Sequence, residues 1–107
     1  RYLSKETCQL FTTETSKISR RGLGFDKPDA EDVGSSPCAP SAPASVYGHT
    51  GFTGTCAWAD PDNGLVYVFL SNRTYPDAWV NKLSNLEIRE HIQETLYRAL
   101  MQPAPVE

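Results

Sequence analysis

The sequence predicts an α+β domain, an antiparallel sheet of three to four strands with a C-terminal helix packed on one face. Three observations carry that expectation. Val46–Thr50 and Phe52–Ala59 can both extend, and Leu65-Val66-Tyr67-Val68-Phe69-Leu70 is apolar at every position. Asp60-Pro61-Asp62-Asn63-Gly64 stands between the last two of these segments. Proline presets φ there and Asn-Gly tolerates positive φ, so the chain reverses. Finally Ile88, Ile92, Leu96 and Ala99 or Leu100 recur at helical spacing.

The elements follow in chain order. Ser4 before Lys5-Glu6-Thr7 reads as the N-cap of a short helix, with Cys8 and Phe11 three apart on one face. Thr12–Ser19 is polar and reads as irregular. Arg21-Gly22-Leu23-Gly24-Phe25-Asp26 alternates apolar residues with glycines, which predicts a short strand with a close neighbour on its glycine side. Lys27–Ser45 holds Pro28, Pro37, Pro40 and Pro43 with Gly34, and can be neither helix nor central strand. It reads as a mobile or disordered surface loop, or a lid. The unalternating run Leu65–Leu70 needs cover on both faces, which places it in the middle of a sheet between helices. Ser84-Asn85-Leu86-Glu87 fits a capping box for the last helix, with Leu83 and Ile88 as its hydrophobic staple. Glu94 and Arg98 form an i,i+4 pair, and Pro103 stops the helix.

Composition narrows the function. The 107 residues suit a single domain, residues 1–107, with one core. Lys and Arg number 10 against 13 Asp and Glu, a net charge of −3 without a basic run, so there is no electrostatic footprint for nucleic acid. No apolar run approaches the roughly 20 residues of a membrane span. The opening Arg1-Tyr2-Leu3 without Met, and the unalternating strand that lacks two covering layers, lead to the expectation of a piece of a longer protein. Cys8, Cys38 and Cys56 contain no close pair and His49 and His91 lie far apart. Free thiols are therefore expected, with no metal site and no cofactor.

Few residues offer chemistry. Neither Gly-x-Ser-x-Gly nor Ser-x-x-Lys occurs, and no phosphate loop fits. Asp60 and Asp62 are explained by an exposed turn, and Asn72-Arg73-Thr74 is a short glycosylation sequon with nothing else to support it. What remains is Tyr47-Gly48-His49-Thr50-Gly51-Phe52-Thr53-Gly54. It sets an imidazole and a hydroxyl between glycines, where a ligand could approach the backbone, although an ordinary structural histidine would also fit.

The order of Arg21-Gly22-Leu23-Gly24-Phe25, a Pro-rich gap, Tyr47-Gly48-His49-Thr50-Gly51, Trp58-Ala59-Asp60-Pro61, Leu65–Arg73, Tyr75-Pro76 and the final helix resembles the C-terminal part of the serine β-lactamase family. The class C β-lactamases, the D-alanyl-D-alanine carboxypeptidases and related esterases are most similar. The chain also resembles the appended C-terminal portion of some bacterial β-N-acetylglucosaminidases. The resemblance implies a partial β-lactamase/transpeptidase-like fold whose full form pairs a helix-flanked sheet with an all-helical region.

Such enzymes act through a serine acylated by a β-lactam, D-Ala peptide or ester and then deacylated by water. Of their three motifs, Ser-x-x-Lys, Tyr-x-Asn and Lys/His-Thr-Gly, only the last is present. The resemblance implies that His49 assists the nucleophile, Thr50 binds a substrate carboxylate and Gly51 lets substrate backbone dock. It also makes the Phe52 N–H an oxyanion donor. Histidine for lysine is a variant associated with peptidase- or esterase-like members, and an ordinary imidazole, unlike an ammonium, is largely neutral at pH 7.

The chain is thus expected to be an inactive C-terminal fragment of a serine hydrolase whose nucleophile lies upstream. The alternative is a binding or assembly module that keeps half of the fold. The expected partners are the upstream part of the parent chain and, through a bared Leu65–Leu70 edge, a second copy. Export to the periplasm is implied by resemblance alone.

Overall fold

The computed structural model describes residues 2–13 and 16–101. Ser4 caps α1 (Lys5–Thr12) as its side chain predicts, its hydroxyl accepting from the Thr7 N–H at 3.1 Å. The helix buries none of its residues, and both Cys8 and Phe11 are exposed. At its far end the Lys27 ammonium donates to the Thr12 carbonyl. Gly22 passes close by, and a Cβ there would stand 2.9 Å from the carbonyl oxygens of Phe11 and Thr13.

The strand expected over Arg21–Asp26 is reduced to a single bridge. The Gly22 N–H bonds to the Phe25 carbonyl, and Gly24 takes φ +89°, so the segment folds on itself. Only Asp26 pairs with the sheet, exchanging both backbone hydrogen bonds with Gly48. Two glycines free the backbone to turn where one would only have relieved crowding.

The sheet has the order β1 (Tyr47–Thr50), β2 (Cys56–Asp60), β3 (Leu65–Phe69), antiparallel throughout, in agreement with the expected α+β class. The register pairs Gly48 with Trp58 and Trp58 with Tyr67, and Tyr47 with Ala59 and Ala59 with Val66. Opposite residues share a face, so Cys56, Trp58, Asp60 and Tyr67 lie on one side, and Tyr47, His49, Ala57, Ala59, Val66 and Val68 on the other. The first side holds the core, where Trp58, Tyr67, Cys56, Cys38 and Val46 are buried together.

Extended structure begins at Cys56 and not at Phe52, because Gly51–Thr55 is the hairpin turn. The Gly54 N–H bonds to the Gly51 carbonyl, and Gly54 takes φ +95°. The second turn forms as its residues predict, with Gly64 at φ +68°. Asp60, however, is buried and not exposed. Its carboxylate accepts from the N–H groups of Asp62 and Asn63 and from Asn63 Nδ2.

β3 is an edge strand, not the central one its composition requires. Tyr67 points into the core, while Val66 and Val68 are 68% and 56% exposed. Among the described residues only one face of the sheet is covered. The missing layer that the unalternating run implied is therefore visible as bare valine.

Lys27–Ser45 is not a loose surface loop. It contains a single 3₁₀ turn (Val33–Ser35), and Cys38 and Ala39 are buried within it, with Val46 just beyond. A chain lean in apolar residues uses this segment as core. Cys38 and Cys56 are free, and burial pushes both thiols up.

The C-terminal helix begins differently from its sequence signal. Asn81 caps a short α2 (Lys82–Asn85), accepting from the Ser84 N–H, so Ser84 lies inside that helix. The chain then turns at Glu87, φ +51°, and α3 runs over Ile88–Met101. The Ser84 hydroxyl accepts from Arg89 and caps nothing. α3 crosses the core face of the sheet with Gln93 and Tyr97, each 1% exposed, while Ile92, Leu96 and Leu100 remain partly open to solvent.

The buried side of α3 is set by hydrogen bonds that the aliphatic stripe cannot make. Tyr97 donates to Asp60 at 2.6 Å, and Gln93 Oε1 accepts from the Ala39 N–H. Glu94 keeps its expected pair with Arg98 but also accepts twice from Ser41, tying the loop to the helix. Pro103 lies outside the described residues.

Candidate active-site edge

His49-Thr50-Gly51 lies at the end of β1, the strand on the opposite edge of the sheet from β3. Its backbone directions follow from the pairing. Gly48 turns its N–H and C=O outward to Asp26, and hydrogen-bonding direction alternates along a strand. Thr50, two residues on, turns its own outward too, beyond the reach of the one-residue bridge. Among the described residues the strand therefore offers an open backbone N–H at Thr50, while the outward Thr50 carbonyl is in contact with His49 Nδ1. Gly51 turns back, its N–H bonding to the Thr55 carbonyl at 2.8 Å.

Glycine at 48 is a condition of this arrangement, since a Cβ there would fall 1.9 Å from the Ala57 carbonyl oxygen. At 51 a Cβ would meet the Thr55 hydroxyl at 2.4 Å. The His49 imidazole is exposed, with Nδ1 2.6 Å from the Thr50 carbonyl oxygen and Nε2 3.3 Å from Arg21 Nη1. Phe25 and Tyr47, in edge contact at 5.2 Å between centroids, line a shallow apolar groove beside it with Ala57, Ala59 and Val66.

Phe52 occupies the tip of the turn, its ring exposed. Arg73, from the Ser71-Asn72-Arg73 segment after β3, stacks its guanidinium 4.3 Å above that ring. Its Nε donates to the Phe52 carbonyl and its Nη1 to the Ala78 carbonyl. The Arg73 N–H and the Ser71 hydroxyl both bond to the Thr53 carbonyl. The turn that carries Phe52 is thus fixed by the end of the far strand.

Three of the groups that build this edge escaped the sequence reading. Arg20 forks onto Asp26 at 2.8 and 3.0 Å, holding the bridge to Gly48. Burial alone would raise the Asp26 carboxyl, but Arg20 and the Lys27 N–H outweigh it and hold it below the usual range. Arg21 approaches His49, and Arg73 clamps Phe52. The Arg21 and Arg73 contacts each span more than 20 positions, while Arg20 reaches Asp26 only six residues on; the doublet Arg20-Arg21 and the Asn-Arg ending of the apolar run were the signals to be noticed. Among the described residues no group of three or more His, Cys, Asp or Glu side chains could hold a metal ion.

Comparison with known proteins bears on this edge. Residues 3–89 match the family model described as Beta-lactamase. The chain is 36% identical over 76 residues to a protein of Escherichia coli O157:H7 named "Putative D-alanyl-D-alanine carboxypeptidase". It is 35% identical over 74 residues to a protein of the same name from Escherichia coli strain K12. These matches cover 67% and 65% of the chain and 16% of each relative, so the chain spans about a sixth of the length of the curated relatives it matches. No solved structure matches the chain significantly.

Proposed function

This chain belongs to the β-lactamase family, and on that premise we propose that it is the strand-edge portion of an acylating serine hydrolase acting on a D-Ala peptide, ester or β-lactam. Its share of the site is a docking edge with one oxyanion donor. Substrate backbone pairs with the outward N–H of Thr50 and with the second lone pair of its C=O, the first being taken by His49 Nδ1, with Gly51 admitting it closely. The Thr50 hydroxyl binds the substrate carboxylate, and the Phe52 N–H faces the oxygen that gains charge. A donor aimed at a developing oxyanion contributes about 100- to 1,000-fold in rate, which is why the Arg73 clamp on the Phe52 turn matters. His49 stands beside the docked acyl group. The nucleophile and base come from the rest of the parent chain, so the 107 residues alone are inactive. The open backbone of β1 at Thr50 carries this reading.

The test is a labelled penicillin incubated with the longer protein that contains this chain, followed by intact-mass analysis. A covalent adduct is expected on the longer protein and none on the 107-residue chain. Thr50→Val is expected to slow acylation about tenfold, the loss of one hydrogen bond to a charged group. A longer protein that binds the penicillin reversibly but never forms the adduct would overturn the hydrolase and leave a binding module.

A second copy is the partner we propose for β3 in the isolated chain. No charge interrupts Leu65–Leu70, and Val66, Val68 and Leu70 are exposed along that edge. An uncharged open edge is a template for antiparallel pairing about a two-fold axis. Light scattering at high concentration should give a dimeric mass that Val68→Lys returns to monomer. A monomeric wild-type chain would sink the idea.

A further inference from the structure

We propose that Arg21 is a positioning residue that supplies the positive charge of this edge and holds His49 in one tautomer, with the proton on Nδ1 and the lone pair on Nε2. The assignment follows from what each partner can do. A guanidinium only donates, so in the 3.3 Å contact with Arg21 Nη1 the His49 Nε2 must accept. A carbonyl only accepts, so in the 2.6 Å contact with the Thr50 oxygen the His49 Nδ1 must donate. One tautomer satisfies both, and a proton on Nε2 would turn the first contact into a repulsion.

In this arrangement both ring nitrogens are engaged, Nδ1–H by the Thr50 oxygen and the Nε2 lone pair by Arg21, and the ring is held beside Thr50. The charge sits behind it, on a guanidinium whose remaining N–H groups have no hydrogen-bond partner among the described residues and can take a carboxylate beside Thr50. Arg21 is available for this where its neighbours are not. Arg20 is engaged by Asp26, and Arg73 by two carbonyls and the Phe52 ring. Among the described residues no carboxylate lies within ion-pair distance of Arg21. Its backbone is nonetheless fixed. The Arg21 N–H bonds to the Ser19 hydroxyl, and the preceding residue is locked through Asp26 to Gly48 of the same strand that carries His49. A charge placed here selects carboxylate-bearing substrates. That part rests on the proposed hydrolase, while the tautomer and the anion site do not.

The experiment is nuclear magnetic resonance on the ¹⁵N-labelled full chain, following the imidazole nitrogens at neutral pH. His91, exposed on α3, serves as internal reference. Wild-type His49 is expected to show the Nδ1–H pattern. Arg21→Met should return it to a mixture and Arg21→Lys should restore it, while His91 stays unchanged in both. Acetate titrated against acetamide then reads the charge. Acetate should shift the Thr50 resonances, acetamide should not, and Arg21→Met should weaken acetate about tenfold. An Nε2–H pattern in the wild type, no acetate response, or equal acetate affinity with and without Arg21 would each overturn the proposal. Neither readout requires acylation, so failure of the penicillin adduct would remove the hydrolase and leave this assignment standing.

Discussion

Gly48→Ala is expected to destabilise the chain by about 3 kcal/mol, the upper end of what an overpacked site costs. A methyl at this position would meet the Ala57 carbonyl oxygen at 1.9 Å, and its carbon and Trp58 Cε3 at 2.9 Å. Two of those three atoms are backbone of the paired strand, which cannot rotate away as a side chain tip can. β1 and β2 would have to separate, and Trp58, 2% exposed, would shift with them. The damage extends to the site, because Gly48 is also the residue that receives the Asp26 bridge and sets the outward direction of Thr50. Gly34→Ala is the control. Its new methyl would meet only the Asp32 carboxylate at 3.4 Å, an ordinary contact. Urea denaturation of both variants measures the difference. A Gly48→Ala midpoint equal to that of Gly34→Ala would mean that the strands do not approach so closely.

Asp60→Ala should cost a similar amount, about 3 kcal/mol, for a different reason. Its carboxylate is the partner of the Tyr97 hydroxyl, buried at the centre of α3, and of the two amides that close the turn. Removing it strands a buried phenol and unties the turn, and each orphaned buried group costs about 1–3 kcal/mol. Tyr97→Phe, which removes the donor instead, should cost only about 1 kcal/mol, because the turn still satisfies Asp60.

The same carboxylate sets part of the pH dependence. Burial would raise Asp60, yet the Tyr97 hydroxyl and the Asn63 donors hold it below its ordinary value. A carboxyl depressed in the folded state adds stability that is present above the unfolded value, about pH 4, and is lost as pH falls through the folded one. Asp26, held down by Arg20, and Glu94, held down first by the Ser41 hydroxyl, act in the same direction. Thermal melts should therefore be flat from pH 7 to about 5 and fall steeply below about 4, where these groups take up protons. Asp60→Ala should fall less steeply. An equal acid slope in variant and wild type would show that Asp60 is not the group being titrated.

The three strands of the sheet, the Asp60–Gly64 turn and the α1 cap were legible because each depends on residues a few positions apart, whereas the Gly51–Thr55 turn was read as strand. Asp60-Pro61-Asp62-Asn63-Gly64 can hardly do anything but turn, and Ser4 caps whatever helix follows it. The Lys27–Ser45 segment was misread because its prolines and serines speak only of local conformation. What orders it is the reach of Gln93 and Glu94 from α3, more than 50 positions away. The capping box at Ser84 failed for a local reason: Asn81 caps a separate short helix that takes up Ser84, and the chain turns at Glu87 before α3 begins.

At the candidate site, His49, Thr50, Gly51 and Phe52 were visible as a short motif on a strand. Their companions Arg21 and Arg73 were not, since nothing in a linear spacing says that positions 21 and 49, or 52 and 73, will touch. The amino-acid sequence determined by itself the α+β class, the antiparallel sheet, the Asp60–Gly64 turn and the place of the motif. Local propensity and periodicity act over a few residues, and these features need no more than that. Only the tertiary structure decided which face of α3 is buried, which strand is left at the edge, and which cation stands beside His49. Those outcomes depend on satisfying buried polar groups at Asp60, Gln93 and Asp26, and partners for such groups are found across space and not along the chain.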